Sequence, residues 1–239
     1  MSPLRFANPV FVALDTLDLA RAVDLAKAVR PYAGGLKVGL EFISAQGPAG
    51  IRQIVSLGLP VFADVKFHDI PNTVAGAARE IAGLGVVLFN VHASGGARMM
   101  KAARDAAVAA NPAVKTLAVT VLTSMTDEDL LATGQGDSIA LQVARLARLA
   151  QDCELDGVVC SPREIEVVRR ACGKDFLIVT PGVRPAGAEL ADQRRVMTPL
   201  EAIRAGADIL VIGRPITAAD DPAAAARTIA EEVAPALAA

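Results

Sequence analysis

Short β-branched runs alternate with Ala-, Leu- and Arg-rich stretches along the whole chain, and this alternation constrains the fold more than any other feature. Strands are predicted near Val10–Leu14, Gly35–Val38, Val61–Val65, Val86–Asn90, Thr116–Val121, Gly157–Cys160, Leu177–Thr180 and Ile209–Ile212. Apolar residues at helical spacing place helices near Leu19–Val29, Pro48–Leu57, Val74–Leu84, Arg98–Ala110, Ile139–Gln151, Arg163–Ala171, Leu200–Ala205 and Ala223–Ala234. Asp18, Ser138 and Ser161 occupy N-cap positions, and Pro162 and Pro222 fit first turns. Gly58, Gly85, Gly173 and Gly206 follow helices as C-terminal caps. Eight strand–helix units in strict alternation imply a parallel sheet with right-handed crossovers. In 239 residues they match a closed α/β architecture, the (β/α)8 TIM barrel, whose usual size is about 250 residues. An open doubly wound sheet shares the alternation and stays open as the competing architecture. No linker or composition break divides the chain, so residues 1–239 are read as a single domain.

The composition narrows the function classes. A net charge of −2 leaves no electrostatic footprint for nucleic acid, and no basic run marks a membrane surface. Arg5, Asn8, Pro9 and Asp15 interrupt the apolar residues of the N-terminus, so no signal-peptide pattern is present. No apolar run approaches the roughly 18 residues that span a bilayer. Cys153, Cys160 and Cys172 show no Cys-x-x-Cys spacing, and the chain has two histidines, so no zinc site is expected. The cysteines read as buried structural thiols in a reducing cytoplasm.

Chemistry concentrates at Asp64-Val65-Lys66-Phe67-His68-Asp69-Ile70-Pro71-Asn72-Thr73, directly after the apolar run Leu59-Pro60-Val61-Phe62-Ala63. Strand side chains alternate with period two, so Asp64 and Lys66 share a side and Val65 points to the other. Burying such charges costs several kcal/mol, about the scale that demands pairing or function. Lys66 is bracketed by Asp64 and Asp69 in sequence, with Lys37 expected beside them on the neighbouring strand. Adjacent carboxylates favour an ammonium, whereas a Schiff-base lysine must be neutral and desolvated. The pattern therefore favours Lys66 as a proton donor and electrostatic clamp for developing negative charge. A salt-bridge network that merely fixes the barrel would carry the same residues.

In such barrels the C-terminal strand ends form the site. Those ends carry Asp15, Lys37, Asp64 with Lys66, Asn90 with His92, Thr123 with Ser124, Ser161, Pro181-Gly182-Val183-Arg184, and Gly213-Arg214. Gly213 permits close approach of backbone N–H groups to an anion, and Arg214 adds a planar cation. Arg184, on a long irregular segment from Pro181 to about Thr198, is placed to close over the same anion as part of a lid. His68 is expected to point away from the Asp64/Lys66 face and to be structural. His92 is expected near the rim as a hydrogen-bonding support.

These residues resemble the orotidine 5′-phosphate decarboxylase family. The resemblance rests on the Asp64–Thr73 string together with Ala13-Leu14-Asp15, Leu36-Lys37-Val38-Gly39, Asn90-Val91-His92-Ala93 and Thr120-Val121-Leu122-Thr123-Ser124. Thr180-Pro181-Gly182-Val183-Arg184, Asp192-Gln193-Arg194-Arg195 and Val211-Ile212-Gly213-Arg214 extend it in order to residue 214. Its form is similar to the bacterial monofunctional enzymes rather than to a fusion with a phosphoribosyltransferase. The resemblance implies decarboxylation of orotidine 5′-phosphate to UMP and CO2, the last step of pyrimidine nucleotide synthesis, with no metal or organic cofactor. It assigns proton donation at C6 to Lys66 and completes the charged array with Lys37, Asp64 and Asp69, the last supplied by the partner of a homodimer with shared active sites. Ile70 and Thr73 would cross the same interface. Asp15 and Lys37 would hold the ribose and Thr123 the pyrimidine, with Asp64 and Pro181 also lining the substrate site. Gln193 would bridge base and phosphate, and Arg184, Gly213 and Arg214 would hold the phosphate. Two rivals share features of this pattern. One is the Mg²⁺-dependent barrels with an Asp-x-Lys-x-x-Asp core, 3-keto-L-gulonate 6-phosphate decarboxylase and hexulose phosphate synthase. The other is a non-catalytic phosphometabolite-binding protein.

Overall fold

The computed structural model describes residues 6–185 and 197–237. The eight strands are β1 (Val10–Ala13), β2 (Gly35–Val38), β3 (Val61–Phe67), β4 (Leu88–His92), β5 (Lys115–Val119), β6 (Gly157–Val159), β7 (Leu177–Pro181) and β8 (Ile209–Ile212). All neighbouring pairs are parallel, and β1 pairs with both β2 (Phe11 opposite Gly35) and β8 (Val10 opposite Leu210). The barrel is therefore closed, and the open-sheet alternative is excluded.

Around it lie α1 (Leu19–Val29), α2 (Leu40–Val55), α3 (Pro71–Ala82), α4 (Gly96–Ala110), α5 (Asp127–Ala132), α6 (Ile139–Asp152), α7 (Ile165–Cys172), α8 (Pro199–Ala205), α9 (Arg214–Thr217) and α10 (Pro222–Leu237). The expected caps are present at Asp18 and Ser138, and Ser161 caps the 3-10 turn that leads into α7. Gly206 ends α8 in a left-handed conformation. Three segments depart from expectation. Helix α2 begins directly after β2 rather than at Pro48, because Gly47 (φ 59°) kinks the helix ahead of that proline instead of starting it. The short helices α5 and α9 were not anticipated; each has too few residues to show apolar periodicity. For α5 a local signal did exist, since Thr126 and Asp129 form a reciprocal capping box.

Period-two alternation divides the apolar residues into two layers. Phe11, Ala13, Phe62, Leu88, Leu117, Leu177, Val179, Ile209 and Val211 fill the barrel interior. The intervening residues, among them Val10, Val12, Ala63, Val65, Phe89 and Val91, pack under the helices. Gly35 faces inward where a Cβ would lie 2.4 Å from the Phe11 ring, so glycine makes room for that ring. Phe6 closes the lower end edge-on to Phe11, with centroids 4.9 Å apart. At that same end, ahead of the strands, Asp156 accepts from Lys115 Nζ (2.8 Å) and Asp208 from Arg169 Nη2 (2.5 Å). These pairs belong to the stability face of such a barrel. No helix among the described residues is long and apolar enough to cross a membrane.

Candidate active site

The inward rows of the strands run from apolar floor to charged rim. On β3 the row is Phe62, Asp64, Lys66; on β4 it is Leu88, Asn90, His92. On β1 and β2 the same parity leads from Phe11 through Ala13 to Asp15, and from Gly35 to Lys37 and Gly39. Alternation thus delivers the polar groups to one end of one interior, and Val65 points outward into the helix layer as expected.

Lys66 Nζ lies 2.6 Å from Asp64 Oδ1, both side chains partly buried. The lysine backbone sits at φ 50°, in the left-handed region. That conformation costs a non-glycine residue about 1–2 kcal/mol. It coincides with a register shift: Ala63 pairs with Phe89, whereas Phe67 pairs with Val91. The extra residues bulge the strand and lift Lys66 over the cavity mouth. Fully buried Asn90 meets both ends of this arrangement, accepting from Lys66 N and donating to Asp64 Oδ1, each at 2.7 Å.

A second charge pair stands on the adjoining strands. Lys37 is buried, and its Nζ lies 2.5 Å from Asp15 Oδ1. A Cβ on Gly39 would stand 2.9 Å from that Nζ and 3.2 Å from Asp15 Oδ1, so the start of α2 leaves space for the pair only as glycine. Lys37, expected beside Lys66, is thus engaged with Asp15. A cavity of about 180 Å³ opens below, lined by Asp64, Lys66, Thr123, Cys160 and Pro181 over an apolar floor that includes Phe62, Val119, Val159 and Val211. Water-poor walls strengthen any interaction between a bound charge and Lys66.

A family model described as orotidine 5′-phosphate decarboxylase / HUMPS matches residues 8–229. The chain belongs to this family. It is 58% identical over 232 residues to the orotidine 5′-phosphate decarboxylase of Moorella thermoacetica, covering 95% of this chain and 92% of that protein. It is 54% identical to the one from Rhodospirillum rubrum, covering 95% and 94%. The crystal structure of the enzyme from Lactobacillus acidophilus superposes with a TM-score of 0.83 at 39% identity, covering 95% of this chain and 99% of that one. The enzyme from Pyrococcus horikoshii gives 0.76 at 27% identity, covering 94% and 98%.

The other residues singled out from the family motifs fall as follows. Asp69, Ile70 and Thr73 lie exposed at the start of α3, and the Asp69 carboxylate accepts from Ile70 N at 2.6 Å rather than meeting Lys66. Thr123 and Pro181 border the cavity. A Cβ on Gly213 would lie 3.8 Å from Asp15 Oδ2, so the start of α9 shares one side of the rim with Asp15; Arg214, next in sequence, is exposed. Arg184 is buried, and its guanidinium donates to Val183 O at 2.9 Å, turned back on its own loop. Gln193, and most of the segment expected to form a lid, lie outside the described residues.

His68 corrects an expectation. It does not point away from the Asp64/Lys66 side; its ring lies 5.4 Å from that of His92. His68 follows the end of β3, past the bulge at Lys66, and its exposed ring stands against His92 at the rim. His92 titrates below the ordinary histidine value because of burial first, then the neighbouring His68 and Lys66, against a smaller opposing effect of Asp64. It therefore adds no positive charge beside Lys66 at neutral pH. Sequence reasoning noticed Asn90 only as a polar strand end; it took Cys160 as a buried structural thiol, and the side chain does lie buried in the layer under the helices. Burial, followed by the nearby Glu164, pushes that thiol far above the usual range.

Proposed function

We propose that this chain decarboxylates orotidine 5′-phosphate to UMP and CO2, the last step of pyrimidine nucleotide synthesis, with Lys66 as the proton donor to C6. The observation that carries the reading is the Lys66 ammonium held against Asp64 at the mouth of an apolar cavity. When the C6–carboxylate bond breaks, its electron pair stays on C6, where the ring delocalises it poorly. Stabilisation must come from a cation already in place. Lys66 supplies that charge and then an N–H proton to C6, leaving a neutral amine beside Asp64. The apolar floor keeps water from competing for the carbanion.

In this reading Asp15 and Lys37 hold the ribose hydroxyls and Thr123 the pyrimidine. Gln193, Arg184, Gly213 and Arg214 hold the phosphate, which requires the Arg184 side chain to turn outward from Val183. Phosphate binding, remote from the reacting bond, helps order the site. The active form is a homodimer with shared sites: Asp69, whose carboxylate accepts from Ile70 N–H, serves the partner's lysine, and Ile70 and Thr73 cross with it. The chain works as one domain in the cytoplasm, without metal or organic cofactor and without nucleic-acid or membrane partners.

Loss of orotidine 5′-phosphate followed by its ultraviolet absorbance, in buffer containing EDTA, tests the activity. Turnover is expected to survive EDTA, separating this reaction from the Mg²⁺-dependent branch. Lys66→Ala should abolish turnover while still binding UMP; substantial residual decarboxylation would remove Lys66 as the donor.

A further inference from the structure

We infer that Asn90 is a positioning residue for the reaction, holding the backbone of Lys66 and the carboxylate of Asp64 in the one arrangement that aims the ammonium at the cavity. The inference rests on the decarboxylase reading above and deepens it. Three hydrogen bonds form a closed circuit. Lys66 N donates to Asn90 Oδ1 at 2.7 Å, Asn90 Nδ2 donates to Asp64 Oδ1 at 2.7 Å, and Lys66 Nζ donates to that same Oδ1 at 2.6 Å. Both ends of one lysine are therefore tied through two side chains on neighbouring strands. The orientation of the amide is fixed by chemistry, since a backbone N–H only donates and a carboxylate only accepts.

The bulge explains why a side chain is required here. Between the Ala63–Phe89 and Phe67–Val91 pairings the ladder slips, and Lys66 stands at φ 50° with its N–H turned to Asn90 Oδ1. A non-glycine residue remains in the left-handed region only where its surroundings over-determine it. Asn90 is fully buried on the inward row of β4, so its amide has no water to exchange with. An ionised aspartate at this place could not donate to Asp64, and an aliphatic residue could neither donate nor accept. Asn90 borders no part of the cavity lining and so acts on the substrate only through Lys66 and Asp64.

The test compares wild type with Asn90→Ala and the nearly isosteric Asn90→Asp. With Asn90→Ala, kcat for orotidine 5′-phosphate is expected to fall about 100-fold, the scale of an ångström of misplacement. KM and the Kd for UMP should stay within about threefold, because binding groups elsewhere on the rim are untouched. Asn90→Asp adds a readout that a merely structural role would not move. At low pH a proton shared by the two carboxylates replaces the amide N–H; as pH rises that proton is lost, and kcat should fall where that of wild type does not. The charged and titratable groups facing this position are Asp64 and Lys66 on β3 and His92 on β4, with His68 against His92. Should Asn90→Ala fail to fold, Asn90→Asp carries the same test. Unchanged kcat, or losses in kcat and UMP affinity in equal measure and independent of pH, would overturn the inference. A crystal structure of Asn90→Ala judges it without substrate: Lys66 should leave its positive φ, and retention of that φ with the Asp64 contact intact would refute it. Absence of wild-type turnover would instead strike the decarboxylase reading, leaving the positioning role to be decided by the crystal structure.

Discussion

Gly39→Ala isolates how much the Lys37–Asp15 pair depends on empty space. Gly39 has φ −104° and ψ −175°, an extended conformation that alanine adopts freely, so the substitution adds volume without backbone strain. The new Cβ would lie 2.9 Å from Lys37 Nζ and 3.2 Å from Asp15 Oδ1. Relaxed non-bonded contact is about 3.5 Å, so the ammonium must retreat by roughly 0.6 Å. It has little freedom to do so, being buried and bound to Asp15 at 2.5 Å. Overpacking of this kind costs about 1–2 kcal/mol, equivalent to a fall in Tm of roughly 2–8 °C for a chain this long. The effect on catalysis should be larger than the effect on folding. A displacement of about half an ångström in the groups proposed to hold the ribose should lower kcat/KM about 10- to 100-fold. Steady-state kinetics on orotidine 5′-phosphate, paired with thermal denaturation, reads both quantities. A variant with kcat/KM within about twofold of wild type would refute the claim that the space over Gly39 is reserved for this pair.

Mixed dimers test the proposed shared site. Combining Lys66→Ala and Asp69→Asn subunits should restore about a quarter of wild-type activity, since half the dimers are mixed and each regains one native site of two. No recovery would place Asp69 outside the partner's site. At the opposite end of the barrel, Asp208→Ala removes the acceptor for Arg169 Nη2 and for Ile178 N at 2.7 Å. This should cost about 2–4 kcal/mol of stability, visible as a lower urea midpoint, with kcat kept. A matching loss of kcat would contradict the division between stability face and active face. The Cys160 thiol, held protonated by burial and by Glu164, should resist thiol reagents at pH 8 until urea unfolds the chain. Rapid modification of Cys160 in the folded protein would refute that assignment.

Much of the site was legible in the sequence because strand parity is a local property. Asp64 and Lys66 share the inward row by their spacing alone, and the strand ends they cap could be located from the apolar runs before them. Parity does not reach His68, because the bulge at Lys66 breaks the alternation before β3 ends. Arg184 was legible only as a residue of the loop after β7; the direction of its guanidinium depends on Val183 and on the packing of that loop.

By itself, then, the sequence determined the eight-unit alternation, the rows that face inward, the caps that bound the helices and the family motifs along the rim. Tertiary structure alone decided which rows meet. Asp15 and Lys37 are 22 residues apart, and their pairing depends on the register between β1 and β2. The bulge in β3, the left-handed Lys66 and its tie to Asn90, 24 residues away, arise only when β3 and β4 are aligned. Side-chain direction follows from neighbours in the chain, whereas register and closure are fixed by packing the whole barrel, and no local spacing encodes them.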